Sequence, residues 1–238
     1  MRTAYTVFRN LYNVRKMTMK LVLASGSQRR RELLTMCGYD YEIIVSNADE
    51  TIDENDPESF VRALSFRKAK DVFDRLFAAG RREFAVIGSD TVVAFQKDGE
   101  TKPVIIGKPK DAEDAVRILS MLSGKTHRVF TGVSVIADIP DENAAAQCSI
   151  RKKEEIQTEC SITEVTFETL SPDEITDYVN SGDPLDKAGS YGIQGPFGMF
   201  VREIRGNYFT VIGMPIPVLY KMLKKIGILP HGFYERIE

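Results

Sequence analysis

The stretch LVLASGSQRRR, Leu21–Arg31, runs an apolar segment through a Ser-Gly-Ser corner into three consecutive arginines. Glu32-Leu33-Leu34 then begins a helix. Cations are disfavoured at the positive end of a helix dipole. Three guanidinium groups there are therefore either a solvated charge run or an anion site, in which the arginines and first-turn N–H groups share the ligand.

Further along, Lys68 lies between Leu64 and Val72 on the apolar stripe of a helix. It either snorkels to solvent along its stem or reaches a cleft and neutralises an anion. In IGSDTVV, Ile87–Val93, apolar residues flank Ser89-Asp90-Thr91, which sets Asp90 where a buried strand meets an edge or break. A buried carboxylate there must be paired, hydrogen-bonded or bound to metal. Asp49-Glu50 opens an acidic run that reads as a solvated loop, unless Glu50 supplies a second carboxylate beside Asp90. Two such oxygen ligands with open water positions suit Mg²⁺ or Mn²⁺.

Two more segments bear on a ligand. Gly107-Lys108-Pro109 holds a lysine beside a rigid proline, as a loop residue or a phosphate contact. DKAGSYGIQG, Asp186–Gly195, packs three glycines around Ser190, Tyr191 and Gln194. It is either a flexible turn or a backbone that approaches a planar ligand closely, with Gln194 offering a donor and an acceptor to a base edge. The chain lacks the G-x-x-x-x-G-K-[ST] loop of a Walker A site.

Composition narrows the partners. A net charge of −2 over 238 residues argues against a nucleic-acid binder, so the basic cluster suits a small anionic ligand. Cys37, Cys148 and Cys160 show no C-x-x-C spacing, which fits a reducing compartment without a disulfide framework. The only histidines are His127 and His231, so acid–base and metal chemistry must rest on carboxylates. His127 reads as a strand-end residue. No apolar run reaches membrane-span length. Residues 1–19 carry Arg2, Arg9, Arg15 and Lys16 and no acid. They read as a disordered extension of a cytoplasmic protein, with a mitochondrial transit peptide as the alternative.

These residues need elements to position them. The pattern predicts strands at Lys20–Ala24 and Tyr41–Ser46, and helices from Ser27 to Cys37 and from Pro57 to Ala79. Phe84–Gln96 reads as a strand interrupted by Gly88-Ser89-Asp90-Thr91, with a turn at Asp98-Gly99. Next come a helix Ala112–Leu122 and alternating strands Arg128–Ala137 and Gln157–Leu170, with a solvated excursion 138–155 between them. A helix from Ser171 to Val179, a pair of strands in Phe197–Val211 and a helix Pro215–Ile226 complete the reading. The fold class is α/β: one unit, 20–238, with a long mixed sheet, flanking helices and two lobes around a cleft.

LASGSQRRRELL, GSDTVV, GKPKDAEDAVRILSMLSGKTHRVFTGV and PLDKAGSYGIQG resemble, in this order, the signatures of the Maf family of nucleotide pyrophosphatases. The resemblance runs from about Lys20 to Ile226. It implies a two-lobed fold like that of the inosine triphosphate pyrophosphatases, and a homodimer. It also implies metal-dependent hydrolysis of a nucleoside triphosphate to monophosphate and pyrophosphate. Asp90 matches the catalytic base and Glu50 its acidic partner at the metal, while Ser27, Arg30, Lys68 and Lys108 match phosphate-binding positions. Arg29, Thr91 and Gln194 match positions that distinguish subfamilies, and Thr91 with Gln194 looks like the dTTP/UTP branch. A pyrophosphatase of the same fold for 7-methyl-GTP or other modified nucleotides and a non-catalytic nucleotide-binding regulator are the alternatives. Gln28 stands where the family commonly has proline.

Overall fold

The computed structural model describes residues 19–97, 99–139 and 153–231. Its sheet has seven strands in the order β2-β1-β3-β5-β6-β7, with β4 added beside β3. Strand β1 (Lys20–Leu23) pairs in parallel with β2 (Tyr41–Ile43) and β3 (Phe84–Phe95). The remaining pairings are antiparallel: β3 with β4 (Val104–Ile106) and β5 (Thr126–Ile139), β5 with β6 (Lys153–Phe167), and β6 with β7 (Val201–Arg205). The helices are α1 (Gln28–Met36), α2 (Pro57–Ala78), α3 (Ala112–Leu122), α4 (Pro172–Asn180), α5 (Tyr208–Ile212) and α6 (Ile216–Lys225).

β3 and β5 are long enough to serve two cores. On one face, Ala85 and Ile87 pack with Val133, Val135, Leu33, Leu34 and Leu219. Further along that face, Val93 and Phe95 join a second core with Ile118, Leu119, Phe167 and Phe197. These are the two lobes, and the middle of β3 lies between them. The opposite face of the same strands is covered by α2 through Ala69, Val72, Phe73 and Val61.

Helix α2 starts where the sequence signals it: Asp56 accepts from the Ser59 N–H at 2.9 Å and Pro57 occupies the first turn. Two glycines let it lie directly on the sheet. A Cβ at Gly88 would sit 2.1 Å from the Ser65 carbonyl oxygen, and one at Gly132 would sit 2.2 Å from that of Val61. Only hydrogen fits at both places.

The structure corrects several expected elements. Gly88-Ser89-Asp90-Thr91 does not interrupt β3, which runs unbroken for 12 residues. The region read as two strands holds a 3-10 turn at Pro196–Phe200, strand β7, and helix α5 capped by Asn207. β2 stops at Ile43. β5 and β6 stay paired out to Ile139 opposite Lys153, so the arms of the expected excursion are strand, while 140–152 lie outside the described residues. Asp98 is outside them too, although Gly99 has the left-handed φ of +80° that a turn uses. The extension expected at 1–19 loses one residue, because Met19 is buried in the core; 1–18 are not described. No helix among the described residues is long and apolar enough to cross a membrane.

Candidate active site

The cleft between the lobes has a volume of about 1600 Å³, and all nine residues singled out from the sequence line it: Ser27, Arg29, Arg30, Glu50, Lys68, Asp90, Thr91, Lys108 and Gln194. The third arginine of the run, Arg31, does not.

Helix α1 enters the cleft with its N-terminus open. α2, α3, α4 and α5 each have a side-chain cap, from Asp56, Asp111, Ser171 and Asn207. Ser27 stands at the cap position of α1 but bonds no helix N–H, and the first turn holds no acid. The free amides and the dipole of this nine-residue helix therefore favour an anion.

Arg30 is held in place by neutral oxygens: Nε donates to the Gly213 carbonyl at 2.9 Å, Nη1 to Ser25 Oγ at 3.1 Å and Nη2 to Thr91 Oγ1 at 3.4 Å. Burial lowers the pKa of its guanidinium, and the charge of Asp90 opposes that shift. Thr91 Oγ1 also bonds Thr131 Oγ1 at 3.0 Å, so its hydroxyl is engaged beside Arg30. Arg29 reaches across to Asp186 at 3.1 Å.

The close seat of α2 on β3 fixes the central ion pair. Lys68 is one helical turn beyond Ser65, and Asp90 is two residues beyond Gly88 on the same strand face. Lys68 Nζ stands 2.7 Å from Asp90 Oδ1, with both side chains nearly buried at 11% and 12% exposure. Lys68 therefore does not snorkel to solvent. Glu50 Oε1 approaches the same ammonium at 3.0 Å from an exposed segment. That segment is tied down by Arg67, which donates to the carbonyls of Asp49 and Thr51 at 2.8 Å each. Arg67 carried no signal in the sequence; it acts only because it adjoins Lys68 on a helix that passes the loop.

Asp90 and Glu50 bring hard oxygen donors to one point, at the Lys68 ammonium, a donor set that fits Mg²⁺ or Mn²⁺ completed by water and a ligand's oxygens. Among the described residues no group of three or more His, Cys, Asp or Glu could hold a metal alone.

The opposite wall is the Asp186–Gly195 segment. Gly189 takes a φ of +73° and its N–H donates to the Gly107 carbonyl at 3.0 Å, joining this segment to the Lys108 loop. Tyr191 is buried beneath, its hydroxyl 3.0 Å from His127 Nε2. Burial pushes His127 down to about 3, so it is a neutral core residue. Tyr178 donates to Asp183 at 2.6 Å and accepts from the Gly192 N–H at 3.0 Å. Gln194 and Lys108 are exposed in the cleft, with no hydrogen bond to another described residue. Asp183, Asp186 and Lys187 also line it, with Lys187 donating to both carboxylates. The sequence reading passed over these three, although two of them open the glycine-rich segment.

The family model for Maf-like proteins matches residues 20–226. A protein from Agathobacter rectalis named dTTP/UTP pyrophosphatase is 39% identical over 217 residues, covering 88% of this chain and 98% of its own length. One of the same name from Bacillus thuringiensis subsp. konkukian is 42% identical over 210 residues, covering 88% and 96%. Among solved structures, the Staphylococcus aureus Ham1 protein is similar with a TM-score of 0.46 at 16% identity, covering 87% of this chain and 98% of its own. With the family model spanning both lobes and the whole cleft, this chain belongs to the Maf family.

Proposed function

We propose that this chain hydrolyses dTTP and UTP to the nucleoside monophosphate and pyrophosphate. The observation that carries the reading is the near-buried Lys68–Asp90 ion pair facing the open N-terminus of α1 in one cleft. Relatives about 40% identical that bear the name dTTP/UTP pyrophosphatase support it.

Phosphoryl chemistry of this kind rests on positioning and charge neutralisation. Arg29, Arg30, Ser27 and the first amides of α1 bind phosphate oxygens, and Lys108 supplies a cation from the other wall. Asp90 and Glu50 would hold a divalent cation, Mg²⁺ or Mn²⁺, which neutralises phosphate charge and acidifies bound water. Asp90 orients the attacking water and accepts its proton as the water oxygen bonds to the α-phosphorus. The bond from that phosphorus to the bridging oxygen breaks, and pyrophosphate leaves. Gln194 pairs with the base: its amide donates to a carbonyl of uracil or thymine and accepts from the ring N–H.

Pyrophosphate release measured across dTTP, UTP, CTP, ATP, GTP, ITP and 7-methyl-GTP tests the reading. The expected result is release from dTTP and UTP well above the rest. Best turnover with 7-methyl-GTP or ITP would overturn the substrate assignment alone, and no release with any triphosphate under Mg²⁺ or Mn²⁺ would overturn the enzyme.

A further inference from the structure

Lys68 stands where a cation bound by Asp90 and Glu50 would have to enter. Its ammonium is 2.7 Å from one carboxylate and 3.0 Å from the other, on a side chain only 11% exposed. Position and charge are both imposed. Gly88 and Gly132 seat α2 against the sheet, and Arg67 fastens the Glu50 segment to that helix. The guanidinium of Arg30 adds positive potential at Asp90 and Glu50. A divalent ion arriving alone meets two carboxylates that already share an ammonium, and among the described residues no group of three or more His, Cys, Asp or Glu to hold it in the ammonium's place. Mg²⁺ and Mn²⁺ take more oxygen ligands than two. Substrate phosphates supply those oxygens and also attract the displaced ammonium.

We propose that Lys68 keeps the Asp90–Glu50 pair closed to free divalent cations, so that metal enters only together with a triphosphate. This rests on the pyrophosphatase reading for the nature of the ligand, whereas its main test needs neither nucleotide nor turnover.

The test is a titration of the nucleotide-free protein with Mn²⁺, free ion being followed by electron paramagnetic resonance. Wild type is expected to bind weakly. Lys68→Met should bind at least about tenfold tighter, because a unit charge some 3 Å from both ligands is gone. Lys68→Arg, which keeps the charge, should stay weak. Equal Mn²⁺ affinity in wild type and Lys68→Met, or weaker binding in the latter, would overturn the proposal. If circular dichroism shows Lys68→Met unfolded, wild type decides. With the α,β-methylene analogue of dTTP, protein and analogue together should retain Mn²⁺ at least about tenfold better than either alone. Retention no better than that of the separate components would overturn it. A tightened Lys68→Met beside a wild type that cleaves no triphosphate would refute the function and leave the gate standing; cleavage with unchanged Mn²⁺ affinity would do the reverse.

Discussion

The two walls of the cleft hold their functional groups by opposite means. On one, the charges of α1, α2, the Glu50 segment and β3 are each occupied by a partner: Lys68 pairs with Asp90 and Glu50, and Arg30 donates to the Gly213 carbonyl and two hydroxyls. On the other, the glycine-rich segment lies on aromatic rings. Tyr191 packs edge-on against Phe167 and His127, with centroids 4.8 and 5.4 Å away, and Phe197 lies beneath. The first wall keeps its reactive side chains occupied until a ligand exchanges for their partners. The second fixes a backbone and leaves Gln194 and Lys108 free. A buried charge has to be partnered while it waits, whereas an exposed amide or ammonium can wait in water.

The largest effect should come from breaking the seat of the charged wall. Gly88→Ala places a methyl against the backbone of α2, and such overpacking costs about 3 kcal/mol or more. Gly107→Ala meets nothing within 4 Å and should stay within about 1 kcal/mol of wild type. Chemical denaturation of the two variants measures the contrast. Equal stability would mean that α2 does not rest on Gly88 as described.

Next is the chemistry of that wall. Asp90→Asn keeps shape and removes the charge, so kcat should fall at least about a hundredfold in a folded protein. Turnover near normal would remove Asp90 from the role of base. Gln194→Ala should instead act on selection, reducing the advantage of dTTP and UTP over ATP by the roughly 1–3 kcal/mol of an unpaired polar group. Relative kcat/KM values report this, and an unchanged ratio would show that Gln194 does not read the base.

Both walls were partly legible in the sequence, for different reasons. The arginine run, Lys68 on its apolar stripe, Asp90 between apolar residues and the glycine-rich segment were visible as local patterns. What failed was the reading of polar residues inside long strands. Gly, Ser, Asp and Thr favour turns when their groups have only local partners. Here each finds a distant one: Gly88 receives α2, Ser89 donates to Gly132 and Gly213, Asp90 meets Lys68, and Thr91 meets Thr131. Tertiary partners outweighed propensity. The strand pair expected in Phe197–Val211 failed differently, because the aromatic residues there suit a ring cluster as well as a sheet. Gly206 with φ of +130° and the Asn207 cap were the signals for a turn into α5.

The aromatic wall has its own acid limit. His127 is 2% exposed and its pKa lies near 3 in the fold, against an ordinary value of 6.5. Above 6.5 both folded and unfolded forms are neutral there and the residue adds no pH dependence. Between 6.5 and about 3 only the unfolded chain takes the proton, so stability falls as pH falls, by up to about 1.4 kcal/mol per unit. His127→Gln should flatten that part of the curve. An unchanged slope would assign the acid limit to other groups.

The smallest effect tests the ion pair that joins the walls among the described residues. Arg29 and Asp186 meet at 3.1 Å, but Asp186 is 66% exposed, and exposed pairs contribute at most about 1 kcal/mol. Asp186→Asn should therefore barely alter the melting curve. Its consequence lies in binding, because Asp186 competes with a triphosphate for the Arg29 guanidinium. Without that competitor KM for dTTP should fall about two- to fivefold at low ionic strength, the size of a weak surface pair. The gain should fade near 1 M salt, where screening acts over about 3 Å. Lys187 keeps Asp183 as a partner, so the segment beneath stays anchored. A rise in KM, or a change in kcat alone, would show that Asp186 aids the substrate rather than holding Arg29 back, and the two walls would then be coupled through that pair.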